Sequence, residues 1–383
     1  MKSRWLDFWI RSHLFFLPFG SLNFGNPYFS INFITAIVII LSVNFKLVKL
    51  FTLKNEIGKI SSFLLIYLVY FVAVSLLFYK KGTDTGSSEI RMQTLYIFSF
   101  FSLLYYFYLK PQRIYYIKKY LIYGIVVLIF LALINIGVEV IGRYGRIRIF
   151  GMNPNYVSFF IIIFIMFVVN DLFERSTRSS VIKNLILLII GLAIFIRLGS
   201  LNNLVALMAA LAVYFLMKGR RLSKRVRFLI LGFIVFVPIF YYVFNSGIYS
   251  ERLGDTESLK NLSGRRELWK TGLEMAKNNL VFGRGVYEPS YIKRTVLGTE
   301  ISFHNVYLDL LIYTGSIGLF IFLTFVFRTV KRLYLISKLY QNSIFLSFGI
   351  IPLINIVSGQ FSFLFYTYLL FVAIPIEEYR LLQ

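Results

Sequence analysis

Cysteine is absent from this chain, and acid is scarce: 17 Asp and Glu stand against 41 Lys and Arg in 383 residues, a formal net charge of +24. Without thiols there are no disulfides, no thiolate ligands and no cysteine nucleophile. Histidine is almost missing too, with only His13 and His304. No cluster of His or carboxylates has metal-ligand spacing, no Asp-x-Asp pair sits in an outer loop, and no Walker-type phosphate loop is present. Asp84 and Glu89 lie together, but Lys80, Lys81 and Arg91 flank them. These absences favour a metal-independent reaction without a cofactor, in which arginines do the anion stabilisation that a divalent ion often does. No internal repeat or low-complexity tract occurs.

What the chain does have is long apolar runs. It is 58% hydrophobic and 19% aromatic with 15% charge, and its mean hydropathy is +0.74. A soluble domain is typically about 45–50% apolar with about 25% charge. The charges cluster between apolar runs close to the roughly 20 residues that a helix needs to cross a bilayer core. Runs without period-two alternation suit helices rather than barrel strands. The expected fold is therefore all-α: a polytopic helical membrane protein, one integral domain over 1–383. About twelve spans are expected, near 13–27, 29–45, 60–78, 92–109, 120–141, 155–171, 182–197, 199–217, 228–247, 303–327, 343–357 and 359–376. Met1 to Arg11 leads into the spans without a small-residue cleavage site, so no cleavable leader is expected.

In a soluble protein the excess of positive charge would suggest nucleic acid; here it reads as topology, with basic residues collecting on the cytoplasmic side. With the N-terminus inside, 25 of the 41 Lys and Arg fall on the inner side. Nine of the other 16 lie in the long loop 248–302, where they weigh little in setting orientation. Both termini are thus expected in the cytoplasm, and the 248–302 loop outside. That loop is too long for a mere connector. Within it Leu268, Trp269, Leu273, Ala276 and Leu280 recur at helical spacing, with Arg265, Lys270, Glu274 and Lys277 around them. The pattern predicts an amphipathic helix at the membrane surface over a cavity.

The residues able to carry chemistry gather on that outer side. His304 stands where the long loop re-enters the membrane, followed by Asn305; imidazole titrates near neutrality and can take a proton from a hydroxyl. The alternative is an interfacial histidine bonded to a carbonyl. His13 reads as structural. Arg265 and Arg266 follow Gly264 at the start of the amphipathic helix, where a guanidinium fork and a helix N-terminus both suit diphosphate oxygens. On a helix the two arginines point in different directions. Gly283-Arg284-Gly285 reads as a turn allowing close backbone approach. A second outer loop carries Arg143, Arg146 and Arg148 against the positive-inside tendency, for an anionic ligand or for lipid headgroups. Pro154 is expected in the first turn of the next helix. Arg197 lies at the outer end of a span, and Asp309 lies one turn deeper than His304 with its role open.

Several of these segments together resemble the bacterial O-antigen polymerase and ligase superfamily. They are Gly264-Arg265 with Trp269, Leu280-Val281-Phe282-Gly283-Arg284-Gly285, His304-Asn305 with Tyr307-Leu308, Gly315 and Gly318. Arg148-x-x-Gly151 with Asn153-Pro154-Asn155 also looks like the family's outer-loop pattern. The resemblance covers roughly 140–170 and 195–320. It implies a GT-C-type glycosyltransferase in the bacterial plasma membrane acting on undecaprenyl-diphosphate-linked oligosaccharides, with Arg265 on the donor diphosphate and His304 on the acceptor hydroxyl. O-antigen, capsule and exopolysaccharide are the product classes it allows, and membrane lipids and a chain-length regulator protein the partners. The family often carries Ser-Arg-Gly where this chain reads Gly199-Ser200-Leu201-Asn202-Asn203, which leaves Arg197 as the nearest substitute. The polymerase reading stands beside a ligase that transfers glycan to lipid A core. A flippase or transporter is the alternative from another class, though transporters more often show repeat symmetry and charges deep in many spans.

Overall fold

The structure is a computed structural model that describes residues 2–20, 31–43, 47–54, 56–79, 84–141, 145–174, 178–218, 241, 245, 247, 265–287, 289, 303–340 and 343–356. Helices dominate: α1 (Lys2–Phe16), α2 (Ile31–Val43), the short α3 (Val48–Phe51), α4 (Glu56–Leu77), α5 (Asp84–Leu109), α6 (Tyr115–Leu133), α7 (Pro154–Glu174), α8 (Arg178–Leu198), α9 (Leu201–Met217), α10 (Arg265–Lys277), α11 (Val306–Tyr340) and α12 (Ile344–Ile356). Among the described residues six helices are long and apolar enough to cross a membrane, and Ile31–Val43, Leu201–Met217 and Ile344–Ile354 form shorter apolar helices. That is consistent with a helical membrane protein. The expected spans 228–247 and 359–376 lie outside the described residues.

Three expectations need correction. The first span does not begin at 13: α1 already starts at Lys2, and a 3-10 turn over Leu17–Phe19 follows it. The described residues are mainly helical as expected, except that the expected span 120–141 gives way at its end to a hairpin of β1 (Val138–Ile141) and β2 (Arg146–Ile149). Asn135 and Gly137 take positive φ and stop α6 at Leu133. Beyond them Val-Glu-Val-Ile and Arg-Ile-Arg-Ile alternate with period two and pair antiparallel, Glu139 opposite Arg148 and Ile141 opposite Arg146. Finally, α11 extends to Tyr340 and is broken at Gly315, whose φ of 63° and ψ of −168° are open only to glycine.

Contacts fix which helix ends share a side. Asp7 accepts from the Tyr106 hydroxyl at 2.5 Å and is ion-paired with Arg113 and, at 3.5 Å, with Lys110. Lys118 reaches Asp171 at 3.3 Å. The start of α1, the end of α5, the start of α6 and the end of α7 therefore meet at one end. The hairpin, the start of α7 and the junction of α8 with α9 lie at the other. The short stretch of sequence between α4 and α5 keeps the C-terminus of α4 toward that same far end. These contacts order the helix ends relative to one another. His13 is buried and bonded to Thr35 at 2.8 Å, in keeping with a structural role.

Candidate active site

The end away from Asp7 holds two groups of polar residues. In the first, helix starts are tied together. Asn153 accepts from the backbone N–H of Asn155 at 2.9 Å and Pro154 opens α7, so the expected proline placement holds. Ser200 caps α9 through the N–H of Asn203. Asn203 is fully buried, and its amide donates to the Asn155 carbonyl at 2.7 Å and to the hydroxyls of Ser158 and Ser200, each at 3.0 Å. The first turns of α7 and α9 are thereby held side by side. Two positive dipole ends lie together.

Arg146 joins this group from β2. Its Nε donates to the Leu198 carbonyl at the end of α8 at 3.0 Å, and a terminal nitrogen reaches Asn155 Oδ1 at 3.4 Å. The guanidinium thus satisfies a helix C-terminus that its own macrodipole makes negative. Arg148, two residues on, shares the strand face with Arg146, and its Nε is buried without a hydrogen-bond partner. Arg197 occupies the last turn of α8, next to Leu198. Arg143 lies outside the described residues. Asn203 was quoted in the sequence only as part of the departure from Ser-Arg-Gly; its role as a tie between α7 and α9 had no signal beyond a buried amide near a cap.

The second group is built on α10 and α11. Residues 265, 269, 272 and 276 form one stripe at helical spacing, and this stripe faces α11. Trp269 donates its indole N–H to the Phe303 carbonyl at 2.8 Å. A Cβ on Gly272 would press on Leu308 and on Phe303 at 3.1 Å, so glycine lets the two helices approach closely. Met275 and Ala276 are buried. Arg265 heads this stripe one turn outward of Trp269, about 6 Å along the axis. Arg266 falls on the opposite, exposed stripe with Lys270 and Lys277. The structure thus separates the two arginines: Arg265 lies on the face that packs on Phe303 and Leu308, and Arg266 does not.

His304 has φ of 54°, a left-handed conformation uncommon in any residue with a Cβ, and it is half-buried. The turn it makes delivers the chain into α11, where Asn305 Oδ1 accepts from the N–H groups of Tyr307 and Leu308 at 3.1 and 3.2 Å. Asn305 is thus the helix cap, with its side-chain oxygen committed to the backbone. Asp309 is buried a turn further in. Among the described residues no group of three His, Cys, Asp or Glu could hold a metal ion.

Below these residues the loop 280–285 locks into the break in α11. The backbone N–H groups of Arg284 and Gly285 donate to the carbonyls of Ile312 and Tyr313 at 2.8 and 2.9 Å. In return Ser316 and Ile317 donate to Leu280 and Val281 at 2.7 and 3.3 Å. Two carbonyls and two N–H groups beside the interruption are therefore paired, as apolar surroundings require. Gly283 and Gly315 meet with no room for a side chain on either; a Cβ on Gly315 would overlap the Val281 carbonyl. Gly283-Arg284-Gly285 is the close-approach turn expected, and the surface it approaches is α11. The expected amphipathic helix forms as α10, and its buried stripe runs alongside the start of α11.

Residues 185–323 match the protein family described as O-antigen ligase. The match spans Arg197, the α9 cap, α10, the locked loop and His304, and it supports the O-antigen ligase and polymerase superfamily, whose members are glycosyltransferase-like enzymes. No curated protein has a matching sequence.

Proposed function

We propose that this membrane protein is a polymerase of lipid-linked polysaccharide repeat units, a GT-C-type glycosyltransferase acting on the outer face of a bacterial plasma membrane. The growing glycan would leave undecaprenyl diphosphate and join the terminal sugar hydroxyl of an incoming lipid-linked repeat unit. The bond from the anomeric carbon to the phosphate oxygen breaks, and a bond from that carbon to the acceptor oxygen forms. The acceptor proton passes to His304, and undecaprenyl diphosphate departs with the electron pair. Arg265 stabilises the charge on the departing diphosphate, and Arg148 and Arg197, with Arg143, supply further positive charge. Arg146 is already engaged with Leu198 and Asn155, and its part is to hold the helix ends that carry the others.

The observation that supports this reading is the position of Arg265 one turn before Trp269, whose indole bonds the carbonyl of Phe303, the residue preceding His304. A cation for the leaving group and a base for the nucleophile stand on neighbouring elements, which fits glycosyl transfer to a hydroxyl. The second reading, a ligase that transfers finished glycan to lipid A core, draws support from the description of the matched family. Purified protein in nanodiscs, given lipid-linked repeat units alone, separates the two. Elongated glycan with release of free undecaprenyl diphosphate is expected of a polymerase. Elongation only after lipid A core is added means ligase, and carrier movement without diphosphate release means a transporter.

A further inference from the structure

The segment from α10 to Tyr287 follows two helices in register. Descending, Trp269 meets Phe303, Gly272 meets Leu308, Leu280 pairs with Ser316 and Val281 with Ile317. Ascending, the Tyr70 hydroxyl donates to the Phe282 carbonyl at 3.2 Å, Gly285 presses on Ser75, and Tyr287 packs against Tyr79 with ring centroids 4.8 Å apart. The chain therefore goes inward along α11 and comes back out along α4. Gly315 lies nine residues into α11, about 13 Å from its start, and Tyr70 lies seven residues before the end of α4, about 10 Å from it. Both helices place the tip about 10–13 Å in from their ends.

Exposed side chains change character along this path. Lys270, Glu274 and Lys277 are exposed on α10, and then Leu280, Val281 and Phe282 are 50%, 50% and 56% exposed. The surface beside the tip is apolar as well: Ile66, Val69 and Leu76 on α4 and Ile317 and Phe320 on α11 are exposed hydrophobics. Irregular backbone at such a depth is tolerated only when its polar groups are paired within the protein, which the lock at Gly315 achieves.

We infer that residues 265–287 form a re-entrant hairpin whose tip, Leu280-Val281-Phe282, is immersed in the acyl chains of the leaflet on the His304 side. The tip continues the lipid-facing surface of α4 and α11. Lipid hydrocarbon is the occupant because the tip lies at the level of spanning helix on both neighbours. The hairpin then acts as a depth gauge: with its tip in hydrocarbon, Arg265 at its outer start is held toward the headgroup zone.

The chain has no cysteine, so a single introduced thiol can be labelled without background. Phe282→Cys and Val281→Cys would each carry a nitroxide in liposomes, with Phe320→Cys as the lipid reference and Glu267→Cys as the water reference. Collision rates with oxygen and with a water-soluble nickel chelate report depth. Labels at 281 and 282 are expected to match 320, with nickel collisions about tenfold below those at 267. Nickel access at 282 equal to that at 267 would mean a water-filled hollow and overturn the inference. Low access to both reagents, from a second protein surface covering the tip, would overturn it equally. If one variant fails to fold, as judged by its elution as a single species, the other still decides the outcome.

Discussion

The indole N–H of Trp269 meets the carbonyl oxygen of Phe303 at 2.8 Å, one residue before His304 turns through a left-handed conformation into α11. This bond joins the helix that carries Arg265 to the turn that carries the histidine. Trp269→Phe keeps the ring and loses the donor. The expected result is a fall in kcat of about tenfold, the worth of one buried hydrogen bond, with KM nearly unchanged. Steady-state elongation kinetics on lipid-linked repeat units check it.

His304→Ala and Arg265→Ala should each lower the transfer rate about a hundred- to thousandfold, the usual cost of removing a group that meets developing charge. Polymer ladders would be lost while expression stays normal. Arg266→Ala should cost at least about tenfold less, because Arg266 lies on the exposed stripe of α10. Full ladders from both of the first two variants would defeat the assigned roles.

Gly315→Ala would force a Cβ into the Val281 carbonyl and hold an L residue at φ 63°, ψ −168°. A loss of about 2–3 kcal/mol is expected, visible as a lower melting temperature in detergent. Gly283→Ala strikes the same junction from the other side. Once one variant has opened the lock the second has less to break, so the double variant should cost less than the two losses added.

Asn203→Ala removes three donated hydrogen bonds at a fully buried site between α7 and α9. The expected cost is on the order of 2–3 kcal/mol, read by thermal unfolding. Asn203→Leu should do no better, since it restores none of the amide's bonds to Asn155, Ser158 and Ser200.

At the opposite end, Asp7 is 3% exposed among Tyr106, Lys110 and Arg113. Asp7→Ala should cost about 2 kcal/mol, because it leaves two cations and a hydroxyl without their acceptor. The melting temperature should fall, and the transfer rate of the remaining folded enzyme should hold.

Much of this was legible in the residues. Apolar runs located α4, α5, α8 and α9, because hydrocarbon-length helices leave an unambiguous compositional mark. The separation of Arg265 from Arg266 followed from helical geometry alone. The hairpin was hidden because Val138 to Ile141 continues the apolar run of α6, and only Asn135 and Gly137 mark the stop. The roles of Asn203 and of Arg146 depend on carbonyls contributed by Asn155 and Leu198, and no local pattern announces such partners. Gly283 read as a turn glycine and Gly315 as one residue of an apolar span; that they fit each other is a fact about two segments well separated in sequence.

That fit has a consequence for biogenesis. A ribosome delivers Leu280 to Gly285 well before Ile312 to Ile317 emerge, so the tip is made without the carbonyls and amides that will receive it. It cannot settle among lipids by itself with its peptide groups bare. The hairpin therefore has to stay on the wet side until α11 has been inserted, which would make its seating a late step of maturation.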